Sequence, residues 1–546
     1  MYLFNTTRQR SRSVLVLGAR NGSITAHAPI RYREVVVRTN LHSNAIIKDT
    51  MDEISAQGTK TVVRIIRRTW QSSFRVITLT MRWLTLLLPL FGGLEVSALS
   101  SQTVTKELGP DLSTSASITD GDSPKYIRWS NYAPPSPGVI VNVASEDDVA
   151  ATVKYATSNN IPFLAQNGGH GWAKWDFGDD GILINIKDLN SVEFNDNKTQ
   201  VTIGGGVGIE EVVAVAAKQD VLVPTGNCPC VGTMGAILGG GYGNLLGVHG
   251  FGVDNVLSLN VVLADGTQKT VTSKDEDLFW ALRGAGPNFA IITSATLKSY
   301  PNEEQTAWFG QLIYTEDKLE KVINALNDVT LEPKMNVFLY YMASSGTPSV
   351  VITPFYYGSE EEGRAAFKAF LDIGPTNDTT SELQYAHWTD ASQDFCTKGG
   401  YKPSFTAGLA QMDATTWREI WDEWITWLEN DGTSNSLVMM EAYSLEKARS
   451  LSESSSSFAW RNDVNFNAIV IPWYSDASLE TKALAFGTKL RDLWRTTDGL
   501  DSPAAYINFA HGDESLAELY GENVDRLKSI KAKVDPKNAF SHWFDL

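Results

Sequence analysis

The sequence predicts an α+β fold with more than one domain, and three observations support this prediction. The chain has 546 residues, more than a single hydrophobic core usually organises. A strand–helix–strand pattern begins near residue 139, and a glycine-poor pattern of alternating strands and long helices begins near residue 305. The composition, 43% apolar and 20% charged, is ordinary for a folded globular protein.

The first predicted unit is a strand, a helix and a second strand. Apolar residues at 139–143 predict the first strand, and Ser145 followed by Asp148 is a helix-capping signature. The helix then carries apolar residues at helical spacing, namely Val149, Val153 and Ala156. The second strand, 161–165, leads into the turn Gly168-Gly169-His170. Because paired glycines cost conformational entropy, this turn indicates that something approaches the main chain closely.

Short strands and glycine turns are predicted between residues 182 and 301. The strands turn at 195–198, and a helix follows whose apolar face is formed by Ile209, Val212, Val213 and Ala216. The segment 224–255 is dense in glycine, but it has neither a Rossmann fingerprint nor the Gly-Lys-Ser/Thr of a Walker loop. So much bare backbone predicts main-chain amides lying along an extended anionic ligand. A strand, a turn at 265–266, another strand and a helix complete this region.

The region after residue 305 predicts strands at 336–344 and 349–358, interleaved with long helices. One helical face carries Trp417, Ile420, Trp421, Trp424 and Leu428. We interpret this face as packing on a sheet; the alternative is an aromatic platform for a sugar.

Charge and cysteines exclude several classes of function. The net charge is −17, and the first 80 residues hold 13 Lys and Arg against 4 Asp and Glu, so the rest of the chain is strongly acidic. An acidic body disfavours nucleic acid and anionic membranes as partners. The only cysteines, Cys228, Cys230 and Cys396, form no disulfide framework and no C-x-x-C zinc pair, so we expect no metal and at least one thiol that is free or otherwise used.

Residues 81–98 have the layout of a secretory signal peptide, with a short apolar stretch followed by small residues. We therefore predict that Met81 is the true start, that residues 1–80 are an over-extended gene model, and that the protein is secreted. The alternative is a mitochondrial presequence within residues 1–80, which are rich in Arg and Ser. Sequons at Asn197 and Asn377, both in predicted loops, agree with a secreted glycoprotein.

An ordered set of motifs resembles one family. They are Gly168-Gly169-His170, Cys228-Pro229-Cys230-Val231-Gly232, Gly239-Gly240-Gly241-Tyr242-Gly243, Ala264-Asp265-Gly266, Asp277-Leu278-Phe279-Trp280-Ala281, Tyr506-Ile507-Asn508 and Tyr520-Gly521-Glu522-Asn523. The chain resembles the berberine bridge enzyme-like FAD-linked oxidases of the vanillyl-alcohol oxidase superfamily, from about residue 120 to the end. The resemblance implies a PCMH-type FAD-binding domain of two α/β subdomains at 120–304. It also implies an α+β substrate domain at 305–500, with an antiparallel sheet covered by helices, and a C-terminal segment at 501–546 that returns to the FAD domain.

The resemblance also implies the cofactor and its ligands. Bicovalent members bond the 8α carbon of FAD to the histidine of the Gly-Gly-His turn and C6 to a cysteine, which here are His170 and Cys228. Imidazole and thiolate are nucleophiles suited to this chemistry. Cys230 lies two residues further on, but the register with Val231-Gly232 favours Cys228. The other implied cofactor-binding residues are Gly168, Gly169, Gly232, Gly235, Gly240, Gly241, Tyr506 and Asn508.

The catalytic base of several family members cannot be assigned to the corresponding residue of this chain. Several members have Tyr-x-Asn-Tyr near the C-terminus, whereas this chain has Phe509 in place of the second tyrosine. The remaining candidates are Tyr506, which the resemblance assigns to supporting the cofactor, and residues on substrate-domain strands: Tyr340, Tyr341, Tyr356, Tyr357, Glu441 and Tyr443. The sequence does not choose among them, and it leaves the role of Arg461 open.

The leading hypothesis is an FAD-dependent oxidase of a fungal secondary metabolite, with O2 reduced to H2O2. Some fungal members, of which solanapyrone synthase is an example, couple oxidation to an intramolecular Diels–Alder cyclisation. One alternative is a secreted carbohydrate oxidase, and another is a flavin-bearing cyclase with no net redox chemistry. The expected partners are a small-molecule substrate and O2, without nucleic acid or stable membrane association; the sequence predicts no oligomeric state.

Overall fold

The computed structural model describes residues 99–123, 128–172, 180–344 and 346–546, together with four strands nearer the start. The chain divides into two compact units, 1–96 and 97–546. In the first unit, Val14–Gly18, Glu34–Thr39 and Val62–Arg67 pair in parallel and Val76–Leu79 adds an antiparallel strand. The predicted signal peptide, 81–98, lies outside the described residues, and the predicted start at Met81 stays a prediction.

The first sheet of the second unit contains the predicted strand–helix–strand pattern. Its order is Ser117–Asp120, Val139–Asn142, Ile182–Asn185 and Phe163–Gln166, with the last three strands parallel. The crossover helix Glu146–Ser158 begins as predicted, because the Ser145 hydroxyl accepts a hydrogen bond from the Asp148 amide over 3.2 Å. The helix buries its apolar face in a hydrophobic core that it shares with this sheet. The predicted strand–helix–strand pattern is therefore confirmed.

The second sheet is antiparallel, in the order Gln268–Thr272, Val256–Val262, Ile291–Lys298, Gln200–Gly204 and Val192–Phe194. The predicted turn at 195–198 joins the last two strands, and Asn197 on it is exposed. The helices Ile209–Lys218 and Glu276–Ala285 bury their apolar residues in the same core. Tyr520 and Lys531, from the end of the chain, hydrogen-bond to Asn288 beside this core.

The third sheet has nine strands, all paired antiparallel. In order, its main strands are Asn377–Asp378, Leu312–Tyr314, Thr347–Tyr356, Met335–Ser344, Leu437–Tyr443, Phe466–Ile471 and Phe405–Leu409, with Thr306–Phe309 and Ser381–Gln384 beside them. The helices Leu319–Asp328, Ala414–Leu428 and Glu480–Thr497 cover one face. These three sheets with their helices confirm the predicted α+β class.

The tryptophan-bearing helix packs on the sheet as we interpreted it. Trp417, Trp421 and Trp424 are buried, and all three rings lie within 6.0 Å of the Tyr341 ring. A buried aromatic row offers no surface to a solvent-borne sugar, so the alternative of a sugar platform on this helix is wrong.

The remaining elements are short. The helices are Ser101–Glu107, Thr233–Leu238, Leu246–His249, Glu360–Ala366, Lys368–Ile373, Glu446–Arg449, Leu516–Tyr520 and Val524–Val534, and Val221–Leu222 pairs with Tyr300–Pro301. The second sequon residue, Asn377, is exposed as expected, although it lies in a two-residue strand and not in a loop. Among the described residues, no helix is long and apolar enough to cross a membrane.

Candidate active site

A cavity of about 410 Å³ lies where the two smaller sheets, the glycine-rich segment and the open face of the nine-stranded sheet meet. The strand Phe163–Gln166 delivers the Gly-Gly-His turn to its wall, and the loop around Cys228 forms the adjacent wall. Gly169 has a φ of +71°, which favours glycine. A Cβ on Gly168 would lie 2.9 Å from the carbonyl oxygen of Cys230, so the turn and the loop pack too closely for any larger residue.

The His170 ring lines the cavity and is held from behind by an aromatic residue. Its ring stacks on Trp129 with the centroids 5.3 Å apart and 25° between the planes. Burial is the main cause that lowers the pKa of His170 to about 3, and the positive charges of Lys402, Arg128 and Lys398 contribute to the same shift. The imidazole is therefore neutral, and hence nucleophilic, over the physiological range of pH.

Lys402 holds Trp129, the residue on which the His170 ring stacks. This buried lysine donates a hydrogen bond of 2.9 Å to the Trp129 carbonyl and another to the Thr397 carbonyl. Its ammonium group lies 4.1 Å from the Trp129 ring centroid and 4.0 Å from that of Trp473. Such cation–π contacts hold the tryptophan in place. The sequence did not predict Trp129 or Lys402, because neither residue belongs to a recognised motif and they lie 273 residues apart.

Only one of the two neighbouring cysteines has a free thiol. Cys228 lines the cavity and is free, whereas Cys230 is bonded to Cys396, 166 residues away. Burial raises the pKa of the Cys228 thiol to about 11. The expectation of at least one free thiol is confirmed by Cys228. The single disulfide was not predicted, because spacing in the sequence could not reveal so distant a pair.

Six of the other residues that the resemblance assigns to the cofactor line the cavity: Gly168, Gly169, Gly232, Gly235, Tyr506 and Asn508. Gly235 has open space where a Cβ would stand. Gly240 and Gly241 are not among the residues that line the cavity, so their part in binding the cofactor stays a prediction. A Cβ on Gly241 would lie 2.8 Å from the Gly252 Cα, so these glycines serve close packing beneath the wall.

Tyr506 and Asn508 support the glycine-rich segment. The Asn508 amide donates to the Tyr506 hydroxyl and to the Ala236 carbonyl, both over 2.8 Å. The Tyr506 hydroxyl also lies 3.4 Å from the Gly241 amide nitrogen, which donates to it. Burial raises the pKa of Tyr506, so its hydroxyl stays protonated. This arrangement agrees with a supporting role and gives Tyr506 no sign of a base.

The cavity wall fits a large polar ligand such as FAD. Gln166 Oε1, Asn167 Oδ1 and Trp172 Nε1 are buried side-chain atoms of lining residues without a hydrogen-bond partner in the described protein. Buried polar atoms are normally paired, so these three atoms indicate a ligand that supplies partners. Asn167 was missed by sequence reasoning; its amide also ties the His170 turn to the carbonyls of Gly205 and Val207, at 3.0 and 3.1 Å.

Strand alternation sorts the tyrosine candidates on the nine-stranded sheet. Tyr340 lines the cavity, whereas Tyr341 faces the helices and donates a 3.0 Å hydrogen bond to the Trp417 carbonyl. Tyr341 is therefore wrong as a catalytic candidate, since neighbouring side chains of a strand point to opposite faces. Tyr357 is also excluded, because its hydroxyl bonds Asn302 and Glu304 outside the cavity, and Tyr356 does not line the cavity.

Glu441 is the lining residue best suited to move a proton. The Tyr443 hydroxyl donates to its carboxylate over 3.0 Å, and Asn227 donates to that hydroxyl over 3.3 Å. Burial raises the pKa of Glu441 to about 7, although the hydrogen bond from Tyr443 opposes the shift. A carboxyl group that titrates near neutrality in a cleft is typical of a general base.

The wall around Glu441 is otherwise mainly apolar. The apolar and aromatic lining residues on this side are Phe338, Tyr340, Phe395, Leu437, Met439 and Ile471, and Ser392 is a polar one. The Phe395 and Tyr340 rings are stacked, with centroids 6.2 Å apart. Phe509, which replaces the tyrosine expected from several members of the resembled family, also lines the cavity and packs edge-on against Tyr506.

Arg461 forms a buried ion pair. It is fully buried, and its two terminal nitrogens bond the two oxygens of Asp254 at 2.7 and 2.8 Å. It does not line the cavity. The arginine whose role the sequence left open therefore pairs with the end of the glycine-rich segment.

Two family models match the chain. Residues 137–272 match the FAD binding domain, and residues 505–543 match the berberine and berberine-like model. The first match includes His170 and Cys228, and the second includes Tyr506 and Asn508.

Full-length relatives agree with these models. The FAD-linked oxidoreductase anuG of Penicillium roqueforti is 32% identical over 471 residues, which are 82% of this chain and 92% of the relative. The FAD-linked oxidoreductase OXR1 of Pyricularia oryzae is 33% identical over 433 residues, 76% of this chain and 84% of the relative. Among solved structures, the glucooligosaccharide oxidase of Acremonium strictum, known for a 6-S-cysteinyl, 8α-N1-histidyl FAD, has the same fold. It superposes with a TM-score of 0.71 at 19% identity over 81% of this chain and 98% of that one. This chain belongs to the berberine bridge enzyme-like FAD-linked oxidoreductases.

Proposed function

We propose that the protein is an oxidase of an apolar fungal secondary metabolite, acting at an alcohol or an activated C–H bond with O2 as the acceptor and H2O2 as the product. One observation carries this proposal: among the lining residues that the structure describes, Glu441 is the one carboxyl group, and it stands in an apolar wall of the cavity that also holds His170 and Cys228.

We propose that FAD is bonded to both His170 and Cys228. The support is chemical, since a neutral imidazole and the one free thiol line the same cavity. The double linkage in the glucooligosaccharide oxidase of Acremonium strictum agrees with this proposal. When bound, the flavin supplies the acceptor for the substrate hydride.

Glu441 takes the proton in this proposal. For an alcohol, oxidation to the carbonyl compound removes a hydride from carbon and a proton from oxygen, and the Glu441 carboxylate accepts the proton. Tyr443 orients the carboxylate by the hydrogen bond it donates, and Asn227 in turn holds the Tyr443 hydroxyl. The apolar residues around Glu441 exclude water and bind the carbon skeleton.

The carbohydrate oxidase and the non-redox cyclase are the competing functions. An oligosaccharide needs many hydrogen-bonding partners. The described residues that line the cavity around Glu441 are mainly apolar, which favours an apolar substrate. Cyclisation of the oxidised product in the same apolar cavity stays a prediction, as does the likeness to solanapyrone synthase.

Secretion remains our proposal for the location. The disulfide between Cys230 and Cys396 supports an oxidising compartment, and the exposed sequon at Asn197 supports glycosylation. Sequencing the N-terminus of the natural protein tests this. A start near Leu99 supports secretion, and a start within residues 20–80 supports the mitochondrial alternative.

The deciding experiment for the reaction is anaerobic bleaching of the flavin. The purified holoprotein is mixed either with an apolar extract of the producing culture or with a panel of reducing sugars, and the flavin absorbance is followed. We expect bleaching by the extract alone, and H2O2 on readmission of O2. Bleaching by sugars alone makes the protein a carbohydrate oxidase, and conversion of an extract component without bleaching makes it a cyclase.

A further inference from the structure

The three cysteines form one cluster beside the cavity. Their sulfur atoms all lie within 4.8 Å of one another, and the Cys228 and Cys230 sulfurs are 3.7 Å apart. Only Cys228 lines the cavity, and the other two form the disulfide. The motif register favours Cys228 for the flavin bond, and the structure shows what happens to the neighbouring sulfur of Cys230.

We infer that Cys396 reserves Cys228 for FAD by holding the sulfur of Cys230 in a disulfide. This inference rests on the proposed attachment of FAD to Cys228. Without Cys396, Cys230 keeps a thiol 3.7 Å from the Cys228 thiol. Two such thiols form a disulfide with oxidised glutathione as the oxidant, which takes up their two electrons and two protons and leaves as two reduced glutathiones. Cys228 then has no thiolate with which to bond the flavin.

Cys396 is held in place by contacts that do not depend on the flavin. The residue before it, Phe395, accepts a hydrogen bond at its carbonyl from Trp129 Nε1. On the other side, the Gly399 amide donates to the Trp129 carbonyl over 3.2 Å, and Lys402 donates to the Thr397 carbonyl. The segment that carries Cys396 is therefore anchored on both sides, so its thiol stands beside Cys230 before any cofactor is attached.

Thiol–disulfide exchange within the cluster is the route by which the native pairing could be lost. Exchange would require the Cys228 thiolate to attack the Cys230 sulfur and to release the Cys396 thiolate. The same three residues could bind a metal ion if all were reduced, and this is the competing arrangement for the cluster.

The test compares the wild type with Cys396→Ser and with the double variant Cys230→Ser, Cys396→Ser. Each holoprotein is alkylated without reduction and digested, and mass spectrometry measures the fraction of Cys228 that carries flavin. We expect Cys396→Ser to lower this fraction several-fold, with the lost share found as a Cys228–Cys230 disulfide or as flavin on Cys230. The double variant should restore the wild-type fraction, because it removes the competing thiol.

Three results would overturn the inference. The first is an unchanged fraction in Cys396→Ser. The second is a double variant as low as the single one, since the disulfide would then act only by positioning the segment. The third is a wild-type protein in which Cys230 and Cys396 are alkylated and bound zinc is found by elemental analysis. A wild type that holds FAD but has no cysteinyl flavin instead contradicts the proposed attachment itself, so the two failures are distinguishable.

Discussion

Tyr443 donates a 3.0 Å hydrogen bond to Glu441 from two residues further along the same strand. Side chains two residues apart in a strand point to the same face, so the hydroxyl and the carboxylate reach the cavity together. Glu441 also lies opposite Phe338 in the neighbouring strand. The pair is therefore positioned by a strand of the sheet and not by a loop.

Glu441→Gln should lower the rate of flavin reduction by about 10²–10⁴-fold, the usual contribution of a general base. In the wild type, the rate should rise with pH through about 7, because the carboxylate is the active form and burial raises its pKa to that value. The variant should lose this dependence, since an amide does not titrate. Stopped-flow reduction across the pH range measures both effects. Glu453→Gln, at an exposed position in the short 3-10 helix Glu453–Ser455, is the matched control. If the rate of flavin reduction still rises with pH in Glu441→Gln, the assignment is contradicted.

Tyr443→Phe should keep the carboxylate but shift its titration to higher pH. The Tyr443 hydrogen bond lowers the pKa of Glu441 against the effect of burial, so its removal lets the pKa rise. The same pH profile of flavin reduction shows the shift, and the plateau rate at high pH should change less than the midpoint. A midpoint that stays in place or moves to lower pH rules out this role for Tyr443.

The two flavin linkages should form with different pH dependences. The thiolate is the nucleophile at Cys228, and its thiol has a pKa raised to about 11, so the attachment rate should rise by about tenfold for each unit of pH in the neutral range. His170 has a pKa lowered to about 3, so its neutral form dominates above pH 5 or so and its attachment rate should be nearly constant.

Two single variants separate these linkages. Cys228→Ser leaves only the histidyl bond and His170→Ala leaves only the cysteinyl bond, and acid-precipitable flavin is followed over time after FAD is added to the apoprotein. Equal pH dependence for both bonds would contradict the environments described for these residues. Replacing both residues by alanine should leave little flavin after acid precipitation.

Arg461→Met should lower the free energy of unfolding by about 3–5 kcal/mol, because it leaves the Asp254 carboxylate buried without its partner. The side chains of Arg461 and Asp254 are 0% and 2% exposed. The matched control is Arg418→Met, which breaks a more exposed pair with Glu320 and should cost about 0–1 kcal/mol. Urea unfolding measures both; comparable losses in the two variants would show that burial does not decide the cost.

The sequence determined the features that depend on neighbouring residues. The strand–helix–strand unit with its Ser145 cap, the turn before His170 and the apolar face of Ile209–Lys218 all follow from local spacing. The motifs then identified the family and pointed to His170 and Cys228 as flavin ligands. Short-range patterns suffice here because caps, turns and amphipathic faces are set by residues within a few positions of each other.

Only the tertiary structure decided the features that join distant residues or depend on one step of register. Tyr340 lines the cavity and Tyr341 does not, because a shift of one residue in a strand reverses every side chain. Cys230 pairs with Cys396 across 166 residues, and Arg461 pairs with Asp254 across 207. Such partners are brought together by the packing of separate sheets, which no spacing in the sequence records.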